Sequence, residues 1–343
     1  MRRVLITGSS GLIGSEAVVF FDKRGWEVHG IDNNMRRDFF GSDGDTIWNL
    51  RRLRRITQHF THYNTDIRNR DAILEIMQQQ RPSLIIHCAA QPSHDLARDR
   101  PFDDFEINAV GTLNLLEATR QYCPESPFIF MSTNKVYGDA PNEKALVELD
   151  TRFDYALPED FDGIDESCRV DASLHSLFGA SKLAADILVQ EYGRYFNIPT
   201  ACFRGGCLTG SKHSSAELHG FLAYLARCVK EGRTYHIYGY KGKQVRDNIH
   251  SHDVCRAFLA FHESPRTAGV YNIGGGRANS TSILEAISRL EELSNTKLRT
   301  DYVNSNRTGD HICYISNLSK FKTDYPNWEI TLSLDEILQE LVM

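Results

Sequence analysis

The chain has 343 residues, with 39 lysines and arginines against 45 aspartates and glutamates, so its formal net charge is −6. That length is enough for one large domain or two coupled domains with a sizeable core. The acidic balance and the 41% content of hydrophobic residues indicate a soluble globular protein. They argue against a nucleic-acid or anionic-membrane binder, which needs a basic surface.

The eight cysteines show no pattern typical of a metal or redox site. No two have the C-x-x-C spacing, and no histidine cluster accompanies them. An apolar run begins almost at the first residue, which leaves no room for a signal peptide, and no run reaches the roughly 18 apolar residues of a membrane span. We therefore predict a cytoplasmic protein with reduced thiols and no metal.

Apolar runs alternate with helical patterns through about the first 200 residues, an arrangement typical of a doubly wound parallel sheet. The predicted strands lie at Met1–Ile6, Glu27–Ile31, Leu84–Cys88, Phe128–Met131 and Thr200–Phe203. The predicted helices lie at Ser15–Gly25, Arg70–Gln80, Phe105–Tyr122 and Gly179–Phe196.

After about residue 205 the alternation loosens. Leu218–Glu231 and Ser282–Leu293 are predicted helices, with short polar turns between them. We therefore place one domain in residues 1–204 and a smaller α+β lobe mainly in 205–343, with segments such as 240–275 able to return to the first. The stretch Asp139–Arg169 is predicted to be a long loop that covers the functional site.

A glycine-rich turn joins the first strand to the first helix. Gly8, Gly11 and Gly14 follow the Gly-x-x-Gly-x-x-Gly spacing, which permits a tight turn, close approach of the backbone to a pyrophosphate, and close packing of helix on strand. The amino terminus of the helix then offers free N–H groups to phosphates. Strand, turn, helix and second strand together predict a Rossmann-type dinucleotide-binding domain.

The acid at the end of the second strand indicates which dinucleotide is bound. Asp32 can accept hydrogen bonds from both hydroxyls of the adenosine ribose and would repel a 2′-phosphate, which favours NAD over NADP. Arg36 and Arg37 lie close enough in sequence to leave NADP as the alternative.

Four further motifs follow in order along the chain: Asp66-Ile67-Arg68, His87-Cys88-Ala89-Ala90, Asn108-Ala109-Val110-Gly111-Thr112 and Ser132-Thr133-Asn134-Lys135-Val136-Tyr137-Gly138. With the glycine pattern they resemble the extended short-chain dehydrogenase/reductases, from Arg3 to about Asp310. In that family the four motifs line the adenine pocket, pass under the nicotinamide, form a dimer helix and carry the catalytic Ser or Thr. The resemblance implies a Rossmann-type sheet with a smaller C-terminal substrate lobe.

Several segments are most similar to the CDP-tyvelose (CDP-paratose) 2-epimerases of the nucleotide-sugar epimerase branch. They include Phe105-Glu106-Ile107-Asn108, Gly163-Ile164-Asp165-Glu166-Ser167 and Gly242-Lys243-Gln244-Val245-Arg246-Asp247. This similarity implies an NAD-dependent isomerase that oxidises a nucleotide-diphosphate hexose to a ketose, lets it rotate and reduces its opposite face. It favours a CDP-linked sugar and a homodimer or tetramer.

The family's catalytic Ser/Thr, Tyr and Lys match Thr133, Phe178 and Lys182, so the tyrosine hydroxyl is missing. The Y-x-x-x-K spacing puts the last two side chains one turn apart on a helix. Three explanations remain open. In the first, the tyrosine hydroxyl is replaced as proton acceptor by His175, by His94, or by Thr133 through a water. In the second, the chain is a weakened epimerase. In the third, it is a binding protein on this fold.

The resemblance also implies which residues hold the ligands. The predicted cofactor-binding residues are Gly8, Ser10, Gly11, Leu12, Ile13, Gly14, Asp32, Asn33, Asp66, Ile67, Ala89, Ala90, Gln91, Asn108 and Lys182. The predicted substrate-binding residues are Ser93, His94, Thr133, Asn134, Lys135, His175, Cys207, Arg246 and Arg307.

For some of these substrate-binding positions the resemblance implies a specific contact or the loss of one. Arg246 and Arg307 match the arginines that grip the diphosphate, a task for which a guanidinium fork is suited. Cys207 replaces an asparagine that contacts the nucleotide sugar in many relatives. A nucleotide-sugar 4,6-dehydratase is the alternative activity, but relatives of that class have Asp-Glu after the catalytic Thr, where this chain has Asn134-Lys135.

Overall fold

The structure, a computed structural model, describes residues 1–215, 220–306 and 309–343. Its strands are β1 (Arg3–Thr7), β2 (Glu27–Ile31), β3 (Phe60–Tyr63), β4 (Leu84–His87), β5 (Phe128–Thr133), β6 (Leu146–Glu148), β7 (Phe153–Tyr155), β8 (Thr200–Gly205), β9 (Cys207–Thr209), β10 (Tyr235–Tyr238), β11 (Val245–His250), β12 (Gly269–Ile273), β13 (Ser280–Ser282), β14 (Thr300–Val303) and β15 (Cys313–Tyr314). Its α-helices are α1 (Leu12–Asp22), α2 (Arg36–Gly44), α3 (Ile47–Ile56), α4 (Arg70–Gln80), α5 (His94–Asp99), α6 (Pro101–Phe105), α7 (Gly111–Tyr122), α8 (Leu177–Phe196), α9 (Phe221–Glu231), α10 (Ser251–Glu263), α11 (Ile283–Ser294), α12 (Ser319–Asp324) and α13 (Leu334–Val342).

Seven strands form one parallel sheet in the order β12-β8-β5-β4-β1-β2-β3. The chain builds outward from β1 through β2 and β3, then restarts at β4 on the other side. The strand order therefore reverses between β1 and β4, and ligands of doubly wound sheets bind in the crevice beyond such a reversal. This sheet confirms the predicted Rossmann-type fold class.

Strand β1 is buried on both faces, as its continuous apolar sequence predicts. Val4 and Ile6 pack with α1 and α10 on one side of the sheet, whereas Leu5 packs with α4, α7 and α8 on the other. All three side chains are fully buried. The two cores hold the carboxyl ends of β1, β4 and β5 at one edge of the sheet, where the candidate site lies.

The smaller lobe is built around β11. This strand pairs with β9 and β15 in parallel and with β13 in antiparallel orientation, while β10 pairs with β14. Helices α9, α11 and α13 enclose a separate apolar core beside it. The chain between these elements returns to the main sheet, where β12 is the edge strand next to β8.

The predicted helices are found with modest shifts of their ends. The predicted helix Phe105–Tyr122 consists of the end of α6, a π-helical turn at Glu106–Val110 and α7. Helix α9 is assigned from Phe221, and the earlier predicted start at Leu218 lies outside the described residues. Within the described residues, no helix is both long and apolar enough to cross a membrane.

The prediction that Asp139–Arg169 forms a loop over the site is wrong. The segment Asp139–Arg169 contains the antiparallel pair β6–β7, and it contributes none of the described residues that line the cavity. Instead, Asp154 accepts two hydrogen bonds at 3.0 Å from Arg277, and Lys144 pairs with Asp160 at 2.6 Å. The pair with Arg277 ties the segment to the turn between β12 and β13, whereas the Lys144–Asp160 pair lies within the segment itself.

Candidate active site

A cavity of about 460 Å³ runs along the carboxyl ends of the main sheet and continues under the smaller lobe. Thr133 at the end of β5 lines it, as do Phe178 and Lys182 in the first turns of α8. Arg246 on β11 lines its far part. The cavity therefore connects the glycine-rich turn to the predicted diphosphate site.

The glycine-rich turn forms one wall of the cavity with backbone alone. Gly8 has a φ of +66°, a conformation that favours glycine. A Cβ on Gly14 would lie 2.1 Å from the Gly8 carbonyl oxygen, so no side chain can occupy that position. With Gly11, both glycines line the cavity at the amino terminus of α1, an arrangement that fits the pyrophosphate of a dinucleotide.

Asp32 lies at the end of β2 and is fixed by backbone donors. Its carboxylate accepts hydrogen bonds from the N–H groups of Ser10 at 2.9 Å and Asn34 at 2.8 Å. Burial raises its pKa from the usual value, although both hydrogen bonds oppose that effect. The neighbouring Arg36 donates instead to the carbonyl oxygen of Ser214 at 2.8 Å.

A neutral histidine supports the end of β4 beneath the cavity. Thr112 Oγ1 donates to Asn108 O at 2.6 Å, so it accepts from His87 Nε2 at 2.9 Å. Thr7 Oγ1 accepts from the Ala89 N–H at 3.1 Å and donates to His87 Nδ1 at 2.7 Å. Burial, followed by the charge of Lys182, lowers the pKa of His87 well below its usual value. These bonds position the backbone of Ala89, which lines the cavity.

Lys182 is a buried cation at the centre of the site. Its ammonium donates to Met131 O at 2.7 Å and lies 3.9 Å from the centre of the Phe130 ring. Burial lowers its pKa to about 8. Thr133 Oγ1 accepts the N–H of Lys135 at 3.2 Å, which caps a short 3₁₀ turn and orients the hydroxyl.

Phe178, in the first turn of α8, contacts a histidine. The centres of the Phe178 and His94 rings are 5.0 Å apart at an interplanar angle of 69°, an edge-to-face contact. His94 Nδ1 lies 2.6 Å from Ser176 Oγ, and that oxygen also accepts the Gly179 N–H at 3.1 Å as the cap of α8. The amino ends of α5 and α8 therefore meet at the cavity wall.

His175, the other candidate histidine, lies elsewhere. Its Nδ1 is 3.0 Å from Ser173 O and its Nε2 is 2.8 Å from Val136 O, so both ring nitrogens face backbone carbonyls. It lines an outer apolar groove with residues such as Leu183 and Ile187, and it is absent from the described lining of the cavity.

Charged side chains gather at the far end of the cavity. Arg246 pairs with Asp310, and Lys135 Nζ lies 3.9 Å from the same carboxylate and donates to Gly309 O at 2.9 Å. Cys207 lies near this group, and burial raises its thiol pKa to about 12. The described part of the cluster carries one more positive than negative charge, which suits an anionic ligand.

The structure brings most of the predicted site residues to this cavity. Those that line it are Gly8, Gly11, Leu12, Ile13, Gly14, Asp32, Asn33, Asp66, Ile67, Ala89, Ala90, His94, Thr133, Asn134, Lys135, Phe178, Lys182, Cys207 and Arg246. Arg307 lies outside the described residues.

Other predicted residues lie behind the cavity wall. Asn108 Oδ1 accepts the Gln91 N–H at 3.0 Å, and Gln91 Nε2 donates to Asp104 at 2.9 Å. Ser93 caps α5 and Ser10 binds Asp32 through its N–H. In this structure these buried residues support the loops that form the cavity rather than facing it.

Two features of the site are among those that were not predicted from the sequence. One consists of Phe221, Leu222 and the side chains of β10, which line the end of the cavity beneath the smaller lobe. The aromatic pattern of β10, Tyr-His-Ile-Tyr, is the sequence signal that could have indicated it. The other is Ser176, whose contact with His94 joins residues 82 positions apart.

Comparison with known proteins identifies the family. The model of the NAD dependent epimerase/dehydratase family matches residues 4–274. The chain belongs to this family. NAD is the family's cofactor, which confirms the cofactor prediction.

Individual relatives place this epimerase/dehydratase chain in the nucleotide-sugar epimerase branch. CDP-paratose 2-epimerase of Salmonella typhi is 33% identical over 346 residues, which cover 99% of this chain and 98% of the relative. dTDP-glucose 4,6-dehydratase of Escherichia coli is 29% identical and covers 94% of this chain and 88% of the relative. The structure of Thermus thermophilus UDP-glucose 4-epimerase in complex with NAD has a TM-score of 0.79 and 25% identity, and it covers 99% of this chain and 97% of that one.

Proposed function

We propose that this protein is an NAD-dependent epimerase of a nucleotide-diphosphate hexose, with CDP-linked sugars favoured. The observation that carries the proposal is the continuous cavity that joins the glycine-rich turn, the Thr133–Lys182 pair and Arg246. The similarity to CDP-paratose 2-epimerase over almost the whole chain supports the choice of sugar nucleotide.

Each group in the cavity has a proposed task. Bound NAD supplies the chemistry of taking a hydride from the sugar carbon and returning it. Thr133 donates a hydrogen bond to the reacting sugar oxygen, and Lys182 holds the nicotinamide ribose and provides positive charge. Arg246 anchors the diphosphate, so binding energy far from the reacting carbon positions the sugar.

A 4,6-dehydratase is the second candidate, because relatives with that activity also match most of the chain. Water elimination requires an acid and a base beside the catalytic threonine. Here Asn134 and Lys135 follow Thr133, and Lys135 is bound to Gly309 O at 2.9 Å. An amide and a cation in place of two carboxylic acids favour epimerisation.

The same proposal includes a homodimer in the cytoplasm. The outer groove is apolar and is lined by residues of the π-helical turn, α7 and α8, including Val110, Leu113 and Ile187. In this groove Phe105 is 51% exposed and Ile187 is 41% exposed. Pairing this face with its copy would bury them.

Incubation of the NAD-loaded protein with CDP-, UDP- and GDP-hexoses, followed by NMR of the sugar, tests the activity. An epimer of the hexose supports the proposal. A 4-keto-6-deoxy product would establish the dehydratase instead, and unchanged sugars together with tight NAD binding would identify a binding protein.

A further inference from the structure

The missing hydroxyl at Phe178 leaves the proposed epimerisation without the family's proton acceptor. We infer that His94 takes over this role, and that Ser176 is the residue that positions it. This inference rests on the proposed function, because a proton must leave a sugar hydroxyl only if the sugar is oxidised.

His94 lies where a substitute for the phenol is needed. Its ring touches the ring of Phe178 edge to face, with centres 5.0 Å apart, and both rings line the cavity with Thr133 and Lys182. The two rings come from different elements, α5 and α8, so a histidine can reach the region of the tyrosine hydroxyl without any change in α8. Histidine is also the side chain whose ordinary pKa is best suited to proton transfer near neutral pH.

Ser176 is placed to orient His94 for proton transfer. Its Oγ accepts the Gly179 N–H and lies 2.6 Å from His94 Nδ1, so it can accept a second hydrogen bond from an Nδ1–H group. That bond is the same whether the imidazole is neutral or protonated. In the proposed cycle Nδ1–H donates to Ser176, which holds the ring in place while the proton is exchanged at Nε2.

The proton balance is complete. In the oxidation, Nε2 of neutral His94 takes the hydroxyl proton while the hydride leaves the carbon for NAD, which gives a ketone and an imidazolium. In the reduction, the hydride returns to the opposite face, and the imidazolium gives its proton to the new alkoxide. His94 and the cofactor both end the cycle as they began it.

The other candidates are less well placed. Both ring nitrogens of His175 face backbone carbonyls, and its ring lies on the outer groove. Lys182 is engaged as a donor to Met131 O and lies over the Phe130 ring, two contacts that favour its charged form. Thr133 Oγ1 accepts the Lys135 N–H at 3.2 Å and donates to Asn134 Oδ1 at 3.4 Å. In the proposed cycle this hydroxyl donates to the reacting oxygen and does not take its proton.

The first experiment compares His94→Asn with His175→Asn as the matched control. We expect His94→Asn to lower kcat by about 10²–10⁴-fold with KM changed by less than about threefold, and His175→Asn to change kcat by less than about twofold. Imidazole in the buffer should restore part of the turnover of His94→Ala. NAD content and the thermal melting curve confirm that each variant is folded and loaded.

The second experiment adds Phe178→Tyr to His94→Asn. If His94 replaces the phenol, the added tyrosine should restore turnover at least about 10-fold, because it supplies the family's own acid–base group beside Lys182. For Ser176, Ser176→Ala should lower kcat more than it raises KM, and Ser176→Thr, which keeps the hydroxyl, should recover most of the loss.

The possible outcomes distinguish the role inferred for His94 from the proposed epimerase function. An active wild-type enzyme whose kcat is unchanged by His94→Asn overturns the role of His94 and leaves the proposed function standing. A wild-type protein that binds NAD and nucleotide sugars but converts none of them overturns both. Loss of activity in both His94 variants, with no recovery of His94→Ala by imidazole and none of His94→Asn by Phe178→Tyr, would reduce His94 to a structural residue and overturn the inference.

Discussion

The ammonium of Lys182 lies 3.9 Å from the centre of the Phe130 ring and donates to Met131 O at 2.7 Å. In the protein without NAD, these two contacts stabilise a charge whose burial has a cost. In the proposed function, Lys182 therefore serves binding and catalysis at the expense of stability.

Lys182→Met should stabilise the NAD-free protein at neutral pH. Burial lowers the pKa of Lys182 from 10.5 to about 8, so the unfolded chain binds this proton more tightly than the folded protein. The cost of the charge is therefore present in full below pH 8 and disappears as the pH rises towards 10.5. We predict a gain of about 1–3 kcal/mol in the free energy of unfolding at pH 7, measured with urea, and a loss of activity.

Lys182→Arg is the control, because it keeps a buried charge and should bring no gain. A Met variant that is less stable than the wild type at pH 7, or whose advantage is the same at pH 7 and pH 10, would contradict this account of the buried charge.

Asp32→Asn should weaken discrimination between NAD and NADP. The carboxylate is held by the N–H groups of Ser10 and Asn34, so its orientation toward the cavity is fixed. Removing its charge removes the repulsion of a 2′-phosphate, and we predict that the ratio of NAD to NADP affinity falls by about 10–100-fold. Calorimetric titration measures both affinities. Asp38→Asn, on the exposed face of α2, should leave the ratio unchanged, and an unchanged ratio in Asp32→Asn would refute the prediction.

Arg246→Lys should weaken substrate binding more than it slows turnover. Lysine keeps the positive charge but loses the fork that binds two phosphate oxygens at once. We predict a rise of about 10–100-fold in the KM for the nucleotide sugar, with a smaller change in kcat. Arg277→Lys is the matched control, because Arg277 pairs with Asp154 outside the cavity. Equal KM values for the wild type and Arg246→Lys would remove Arg246 from the diphosphate site.

Ile187→Asp should convert the proposed dimer to monomers. Ile187 lies on α8 in the apolar groove and is 41% exposed. A carboxylate at the centre of a paired apolar face would lose its hydration without gaining a counter-charge. Light scattering after gel filtration measures the mass. Tyr195→Asp, on the same helix but outside the groove and 80% exposed, should remain dimeric. A monomeric wild type would refute the dimer itself.

The glycine-rich turn and the shared helix face of Phe178 and Lys182 could be predicted from the sequence because their determinants are local. The turn at Gly8, Gly11 and Gly14 lies between one strand and one helix, and the i, i+4 spacing of Phe178 and Lys182 already placed them on one face of α8. Such signals depend on backbone conformation within a few residues, so they do not require knowledge of the tertiary structure.

The remaining features depend on contacts between distant segments. The bond between His94 and Ser176 forms because the amino ends of α5 and α8 meet, which no local pattern indicates. The segment Asp139–Arg169, predicted to cover the site, has a polar composition. A polar composition indicates that a segment is exposed to solvent, but it does not indicate where on the protein the segment lies. Its position depends on contacts with distant residues, such as the pair between Asp154 and Arg277, more than a hundred residues away.

The most direct test of the account is NMR of nucleotide hexoses incubated with the NAD-loaded protein in D₂O. Oxidation and re-reduction by a bound cofactor return the same hydrogen to the sugar carbon. We therefore predict a new epimer, first with CDP-hexoses, whose inverted carbon carries protium. An epimer with deuterium at that carbon, a 4-keto-6-deoxy sugar, or no conversion of any nucleotide hexose would contradict the proposed function.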